Sequence, residues 1–320
     1  MKILVTRKIP TTYLDKLSEN DNEVIINEFD RALTPQELIE KGKGVDGILS
    51  LLNDQIDGEV MDAIGSSLKI ISNYAVGFDN INIKDATDRG IVVTNTPCVE
   101  VDEAVAEHTW ALISSLTRRV VEADEATRRG AYKGWEPDIF LGMSLAGKTL
   151  GIVGMGGIGT MVAKRAEGYG MKVVYTKRTK DENSIDLDAL LQQSDVVTLH
   201  VPLNEETRHL MNKETLAKMK KGSYLINTAR GPVVDEHALV DSLNDGHLRG
   251  VALDVFDNEP SIHPELIGMS NVITTPHIAS ATHEAREAMG KLAVSSILSV
   301  SYDQMPENIV NKEVWDNRRK

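Results

Sequence analysis

The stretch of sequence that decides the fold lies near the middle of the chain and reads TLGIVGMGGIG over residues 149–159. Its first half, Thr149–Val153, is a short apolar run that predicts a buried strand. A helical pattern over Met161–Glu167 and a second predicted strand, Lys172–Tyr175, follow it. Between the first strand and the helix lies a G-x-G-x-x-G, which consists of Gly154, Met155, Gly156, Gly157, Ile158 and Gly159. In this β-α-β context the motif predicts a turn that holds a dinucleotide pyrophosphate.

The three motif glycines have separate physical roles in such a turn. Gly154 permits a tight turn, Gly156 lets the backbone approach a pyrophosphate, and Gly159 lets the helix pack against the strand. Free N–H groups and the helix dipole then face the anion. The alternative is a glycine-rich turn without a ligand.

The end of the next strand decides between the two nicotinamide dinucleotides. An acidic residue there would hydrogen-bond the ribose 2′-hydroxyl of NAD, but the sequence after Tyr175 reads Thr176, Lys177, Arg178 and Thr179. Lys177 and Arg178 could bind a 2′-phosphate instead, Arg178 through its planar fork. We therefore predict a preference for NADP(H), with NAD(H) as the alternative if both cations are solvated loop residues.

The composition sets wider limits. The chain has 320 residues, more than one hydrophobic core usually serves, so two domains are expected. Its net charge of -13 disfavours nucleic acid as a partner, because phosphates would be repelled. Cys98 is the only cysteine, which excludes an intrachain disulfide. We find no signal peptide, no apolar stretch as long as a membrane span and no metal-ligand spacing, and we expect a cytoplasmic protein.

Short apolar runs recur along the whole chain and alternate with helical patterns. This alternation predicts two doubly wound α/β domains, each with a parallel sheet that helices cover on both faces. The predicted strands are Ile3–Thr6, Val24–Ile26, Gly47–Ser50, Lys69–Ser72, Ile91–Thr94, Thr149–Val153, Lys172–Tyr175, Val196–His200, Tyr224–Asn227, Val251–Asp254 and Val272–Thr274.

Two of the helical patterns are informative. One begins at Thr34, where Pro35 suits the first helical position and Glu37 completes a capping box. The longest covers Val99–Arg129 and ends at Gly130. Such a helix could link two domains, form a subunit interface or pack in a core. The other patterns are Tyr13–Ser18, Glu59–Ile64, Leu187–Gln192, Lys213–Lys220 and Glu284–Val300.

Three chemically capable residues follow consecutive predicted strands of the second series, namely Arg230, Glu259 and His277. Open α/β sheets bind ligands at the carboxyl ends of their strands. Hydride transfer from a nicotinamide dinucleotide to a carbonyl needs a proton for the carbonyl oxygen, and His277 is the candidate acid. Glu259 would favour the imidazolium and orient the ring, and Arg230 would polarise the carbonyl and bind an anionic group of the substrate. The alternatives are a structural Arg230–Glu259 ion pair and a hydrogen-bonded core histidine.

These motifs together resemble the D-isomer-specific 2-hydroxyacid dehydrogenase family over nearly the full chain. Glu259 stands 29 positions after Arg230, and His277 stands 18 positions after Glu259, as in the family's catalytic order. The segment NYAVGFDN over residues 73–80 resembles the family's substrate-carboxylate loop. Similarity to the glyoxylate/hydroxypyruvate reductase branch, which often prefers NADPH, lies in GWEP over residues 134–137, FLG over 140–142 and SATHEAR over 280–286.

The resemblance implies further site residues. The N–H groups of Val76 and Gly77 would bind the substrate carboxylate, while Leu52 and Trp135 would limit substrate size. Trp135 would reach the partner subunit's site, or else be an ordinary packed tryptophan. Asp254 would contact the nicotinamide amide. The other implied cofactor contacts are His200, Val201, Pro202, Thr228, Ala229, His277 and Ala279.

Three positions depart from the patterns of relatives. Gly157 stands where many relatives have Arg, so that one cofactor contact is missing, and Ala279 stands where Gly is common. Val76 stands where phosphite dehydrogenase has a Lys, which argues against phosphite as the substrate.

The family pattern also implies a discontinuous chain organisation. Residues 1–98 and 290–320 would form a flavodoxin-like substrate domain, and residues 99–289 an NAD(P)-binding Rossmann domain, with the active site in the cleft. The long helix would form much of a homodimer interface. The leading hypothesis is NADPH-preferring reduction of glyoxylate and hydroxypyruvate. The alternatives are an NAD-dependent dehydrogenase of a larger D-2-hydroxy acid and a non-catalytic dinucleotide-sensing scaffold.

Overall fold

Two units make up the part of the chain that the computed structural model describes, which is residues 1–29 and 31–320. The first unit comprises Met1–Val101 and Thr282–Lys320, and the second comprises Asp102–Ala281. Each unit contains one parallel sheet, which confirms the predicted fold class. Among the described residues, no helix is long and apolar enough to cross a membrane.

The strands agree with the predicted ones to within one residue at either end. They are β1 (Lys2–Val5), β2 (Glu23–Ile26), β3 (Gly47–Ser50), β4 (Ile70–Asn73), β5 (Val92–Thr94), β6 (Thr149–Val153), β7 (Lys172–Thr176), β8 (Val196–Leu199), β9 (Tyr224–Asn227), β10 (Gly250–Leu253) and β11 (Val272–Thr274). The first sheet has the flavodoxin order β2-β1-β3-β4-β5. The second has the order β7-β6-β8-β9-β10-β11, so that the direction of strand addition reverses between β6 and β8.

Helices connect these strands. They are α1 (Pro35–Gly42), α2 (Gly58–Ile64), α3 (Ile83–Asp88), α4 (Val99–Thr117), α5 (Val120–Arg128), α6 (Gly157–Ala166), α7 (Leu187–Gln193), α8 (Lys213–Lys218), α9 (Glu236–Asn244), α10 (Pro264–Gly268) and α11 (His283–Ser301). The capping box at α1 is confirmed, since Thr34 Oγ1 accepts the N–H of Glu37 and Glu37 Oε2 accepts the N–H of Thr34. The pattern over Tyr13–Ser18 forms a 3-10 helix instead, Leu14–Asp21.

Both faces of the second sheet are buried, which explains its continuous apolar runs. Successive residues of a strand point to opposite faces. Ile152 and Ile226 pack into one core cluster, whereas Val153 and Leu225 pack into another. Because both faces of the sheet pack against apolar layers, the polar residues that could bind a ligand or catalyse a reaction lie in the loops at the strand ends.

The prediction of one helix over Val99–Arg129 is wrong, because the chain forms α4 and α5 with a break at Arg119. Arg119 has a φ of 56°, in the left-handed region, and its guanidinium pairs with Glu122. The N–H of Met143 donates to the carbonyl of Thr117 at 2.8 Å. A Cβ on Gly142 would lie 2.3 Å from that carbonyl oxygen, so the glycine permits this close approach.

The C-terminal segment completes the first sheet. α11 packs on β3 and β4, and the hydroxyl of Ser72 donates to the carbonyl of Ala293 at 3.0 Å. The buried Asn311 then accepts the N–H of Val93 at 2.9 Å and donates to the carbonyl of Ile91 at 2.9 Å. Residues more than 200 positions apart are therefore bonded within this unit.

Candidate active site

The carboxyl ends of the second sheet bring most of the predicted site residues together. All strands of this sheet run parallel, so the loops after them leave from one edge. The strand order reverses between β6 and β8, and such sheets bind ligands at the carboxyl edge beside this reversal. The loops that leave it carry Gly154 after β6, His200 after β8, Arg230 after β9, Asp254 and Glu259 after β10, and His277 after β11.

The glycine turn has the geometry that a dinucleotide phosphate requires. Gly154 has a φ of 103°, and a Cβ there would lie 2.3 Å from the carbonyl oxygen of His200. A Cβ on Gly159 would lie 2.1 Å from the carbonyl oxygen of Gly154, whereas one on Gly156 would meet nothing within 4 Å. Gly156 caps α6 without a side chain. The first N–H groups of α6 therefore face open space beside Gly156, an arrangement that suits a pyrophosphate.

Basic and acidic residues share the loop after β7. Lys177 forms an ion pair with Asp181, which also accepts the hydroxyl of Tyr175 at 2.9 Å. The bond from Lys177 is the largest cause that lowers the pKa of the Asp181 carboxyl, and with the Tyr175 hydroxyl it holds this pKa well below its ordinary value. Arg178 and Thr179 are exposed. Sequence reasoning missed this carboxylate because Asp181 stands five positions beyond the strand end, and only the fold of the loop returns it to Lys177.

His200 fits a role beside the cofactor, as a neutral ring. Its Nε2 lies 2.9 Å from Thr198 Oγ1, and burial lowers the pKa of His200 to about 3. Its Nδ1 is buried and has no hydrogen-bond partner within residues 1–29 and 31–320. A polar atom left in this state is costly unless a ligand supplies the bond.

His277 and Glu259 form a hydrogen-bonded pair. His277 Nδ1 lies 2.9 Å from Glu259 Oε2, while Glu259 Oε1 accepts the N–H of Phe256 at 3.1 Å. Both side chains are partly exposed. This bond fixes the ring through Nδ1 and leaves Nε2 as the nitrogen that can exchange a proton with a substrate.

Arg230 lies in a tightly bonded turn after β9. Its guanidinium donates to the carbonyl of Ala229 at 2.7 Å, and the side chain of Asn227 donates to the Arg230 carbonyl at 2.9 Å. A Cβ on Gly231 would lie 1.8 Å from the backbone of Phe256, so this turn packs directly on the loop that carries Glu259.

Asp254 is fully buried beneath the His277 loop. Its carboxylate accepts the hydroxyl of Thr275 at 2.6 Å and the N–H groups of Ile278 and Ala279 at 2.9 and 2.8 Å. His108 Nε2 lies 3.5 Å away. Burial would raise the pKa of Asp254, but hydrogen bonds from these groups outweigh it and hold the pKa below its ordinary value. Sequence reasoning missed His108 and Thr275, because neither stands in a motif.

In the first unit, the loop after β4 offers two backbone donors. The carbonyls of Val76 and Gly77 accept from Asn95 and Asn73 at 2.7 and 2.9 Å. Their N–H groups have no partner in the described part of the chain. Leu52 is exposed. The two asparagines were not predicted, although Asn73 begins the segment that suggested the loop.

Trp135 is 85% exposed, so in the single chain it is not packed. It belongs to a segment of the second unit with several other exposed apolar side chains. These are Val120, Val121, Tyr132, Ile139 and Leu141.

Comparison with known proteins identifies the family. Residues 110–279 match the model of the D-isomer specific 2-hydroxyacid dehydrogenase, NAD binding domain. The chain is 49% identical to a glyoxylate reductase of Thermofilum pendens, with 98% of this chain and 95% of that protein covered. It is 44% identical to a glyoxylate reductase of Thermococcus litoralis, with coverages of 98% and 97%.

A solved structure agrees with this result. The NADPH-dependent glyoxylate/hydroxypyruvate reductase of Sinorhizobium meliloti superimposes with a TM-score of 0.86 at 32% identity, with 100% of this chain and 99% of that one covered. The predicted family is confirmed. The chain belongs to the glyoxylate reductase branch of the D-isomer-specific 2-hydroxyacid dehydrogenases, and it is an NAD(P)-dependent oxidoreductase.

Proposed function

We propose that the protein reduces glyoxylate and hydroxypyruvate to their 2-hydroxy acids, with NADPH as the preferred cofactor. The observation that carries the proposal is the His277–Glu259 pair on the sheet edge that also holds the glycine turn. The names of the relatives, glyoxylate reductases among them, favour substrates of this size.

In this proposal each charged residue has one task. His277 donates a proton from Nε2 to the carbonyl oxygen when a hydride adds to the carbonyl carbon. Glu259 stabilises the imidazolium through Nδ1. Arg230 binds the substrate carboxylate and polarises the carbonyl. In the reverse direction His277 is the base. A bound nicotinamide dinucleotide supplies the hydride.

We assign the cofactor contacts to the loops of the second unit. They are Gly154, Met155, Gly156, Gly157, Ile158, Gly159, Thr176, Lys177, Arg178, Thr179, His200, Val201, Pro202, Thr228, Ala229, Asp254, His277 and Ala279. The preference for NADPH rests on Arg178, which is exposed at the strand end, because Lys177 is engaged by Asp181.

Substrate binding in this proposal uses Val76, Gly77, Leu52 and Trp135 as well as Arg230. The unpartnered N–H groups of Val76 and Gly77 suit a carboxylate oxygen. The exposed apolar segment around Trp135 favours a homodimer, since a soluble monomer rarely exposes such a cluster. We propose a cytoplasmic enzyme with a substrate domain of residues 1–98 and 290–320 and a cofactor domain of residues 99–289, bounds that differ by up to eight residues from the two units of the fold.

Initial rates of NADPH and NADH oxidation with glyoxylate, hydroxypyruvate and pyruvate test the function. We expect turnover of glyoxylate with NADPH and a loss of about 100-fold or more in kcat for His277→Ala. His237→Ala, an exposed histidine on α9, is the matched control and should not change kcat. NADPH binding without turnover of any acid would refute the proposal and favour the sensing scaffold. Turnover with NADH alone would remove the role given to Arg178.

A further inference from the structure

The backbone of His277 adopts a conformation that most residues avoid. Its φ is 54°, in the left-handed region, which costs about 1–2 kcal/mol for a residue with a Cβ. Bonds on both sides hold it there. The N–H of His277 donates to the Asp254 carbonyl at 2.8 Å, and the next two N–H groups, of Ile278 and Ala279, donate to the Asp254 carboxylate. Such strain persists where the surroundings over-determine it, and here they centre on Asp254.

Thr275 connects this carboxylate to a side chain outside the proposed chemistry. A threonine hydroxyl has one proton, and the 2.6 Å contact to Asp254 Oδ1 shows that it is donated to the carboxylate, which only accepts. The hydroxyl oxygen must then accept from its other neighbour, His108 Nε2, at 3.1 Å. It follows that Nε2 of His108 carries a proton.

The position of His108 on α4 makes this bond independent of the loop itself. His108 is partly buried, and its Nε2 lies 3.5 Å from Asp254 Oδ1 as well as 3.1 Å from the hydroxyl. The second unit thus contains a continuous path of bonds from a helix residue, through Thr275 and Asp254, to the backbone on both sides of His277.

We propose that His108 is a positioning residue of this dehydrogenase. Its Nε2–H orients the Thr275 hydroxyl onto Asp254, and the Asp254 carboxylate then holds His277 in the strained conformation in which the ring meets Glu259. The proposal rests on the proposed role of His277 as the proton donor. His108 itself exchanges no proton with the substrate.

Two substitutions separate the donor from the space that the ring fills. His108→Leu removes the N–H and keeps much of the volume, whereas His108→Gln places an amide N–H near the position of Nε2. We expect H108L to lower kcat for glyoxylate about tenfold, as the loss of one hydrogen bond would, while KM changes less than about threefold. H108Q should stay within about threefold of the wild-type kcat. Equal losses in H108L and H108Q would overturn the proposal.

A double-mutant cycle tests whether the residues act on one path. Thr275→Val removes the hydroxyl and retains the shape. The double variant H108L/T275V should be no slower than the slower single variant, because both remove the same path. A rate loss equal to the product of the two single losses would show independent roles and contradict the proposal. Thr117→Val is the matched control, since its buried hydroxyl donates to carbonyls of α4 and to no other group among the described residues. It should lower Tm and leave kcat unchanged.

The tautomer of His108 can be measured in the wild-type protein, without turnover and without a substituted variant. ¹⁵N NMR of the histidine-labelled wild-type protein at pH 8 should show His108 as the tautomer protonated at Nε2. A tautomer protonated at Nδ1 alone would refute the proposal. A wild-type protein that binds NADPH but reduces none of the three acids would refute the proposed function, whereas the NMR result would still decide the tautomer of His108.

Discussion

The loops after β7 and β11 leave the same edge of one sheet, but they are held in opposite ways. The loop after β7 is fixed by an ion pair between Lys177 and Asp181, both partly exposed, next to an exposed Arg178. The loop after β11 is fixed by four hydrogen bonds to Asp254, whose exposed fraction is 0%. One loop is proposed to choose the cofactor, and the other to carry the proton donor.

The difference in solvent access has energetic consequences. Exposed ion pairs contribute about 0.2–1 kcal/mol, since water and salt screen them. Hydrogen bonds to a buried charge contribute about 1.5–3 kcal/mol each, and the loss of a partner leaves an unsatisfied group. Changes in the loop after β7 should therefore affect stability little, whereas loss of the Asp254 carboxylate should lower stability as well as displace His277.

Asp254→Asn should have the strongest effect, because it removes an acceptor oxygen from the buried network. An amide has one acceptor oxygen, so either the N–H of Ala279 or the two donors on Oδ1 lose their acceptor. We expect the free energy of unfolding in urea to fall by about 2 kcal/mol and kcat/KM to fall about 100-fold. Asp195→Asn, which affects an ion pair with Lys220, is the control and should retain kcat. Wild-type stability in D254N would show that the buried network is not what holds the loop.

The next effect concerns the other loop. Arg178→Ala should raise KM for NADPH about tenfold and change KM for NADH by less than about twofold, because only NADPH has the 2′-phosphate. The free energy of unfolding should not change, in contrast to D254N. Lys180→Ala, which affects only a pair with Asp186, is the matched control. An equal rise in KM for both cofactors would contradict the assignment.

A third measurement concerns His200, which begins the loop after β8. Burial lowers the pKa of His200 from its ordinary 6.5 to about 3, so between these values the unfolded chain binds a proton that the folded chain does not. The stability due to the neutral ring is therefore complete above pH 6.5 and is lost as the pH falls, at about 1.4 kcal/mol per pH unit. From pH 7 to pH 5.5 the wild type should lose about 1 kcal/mol more than His200→Asn. Parallel pH profiles in urea unfolding would refute the burial of this ring.

Asp181→Asn should have a weaker effect than the preceding substitutions. Removal of this charge releases Lys177 for a 2′-phosphate and should lower KM for NADPH about threefold, with KM for NADH unchanged. Glu182→Gln, at the neighbouring position, should have no such effect. A higher KM for NADPH in D181N would mean that Asp181 orders the loop rather than competes for Lys177.

Periodicity and spacing predicted every strand of the fold and placed Arg230, Glu259 and His277 on one edge of a sheet. Those signals are local, because apolar runs and turn residues report on their own segment. No glycine or proline marks the break at Arg119 in the sequence, and in the structure the break coincides with the contacts that Gly142 and Met143 make with Thr117.

The supporting contacts of the site were not predictable for the same reason. Lys177 meets Asp181, and His108 meets Thr275, only through the fold of loops that no periodic pattern describes. The sequence therefore predicts which residues can do chemistry better than it predicts which residues hold them.

The discontinuity of the first unit has a consequence for synthesis. Its sheet is bonded to Ala293 and Asn311, which the ribosome adds more than 200 residues after the strands they bond to, and all of the second unit precedes them in the chain. At about 5–20 residues per second, the N-terminal strands wait roughly 10–45 s for α11 and the final segment. During translation the second unit can fold first, whereas β1–β5 lack the bonds from Ala293 and Asn311 until those residues have been added.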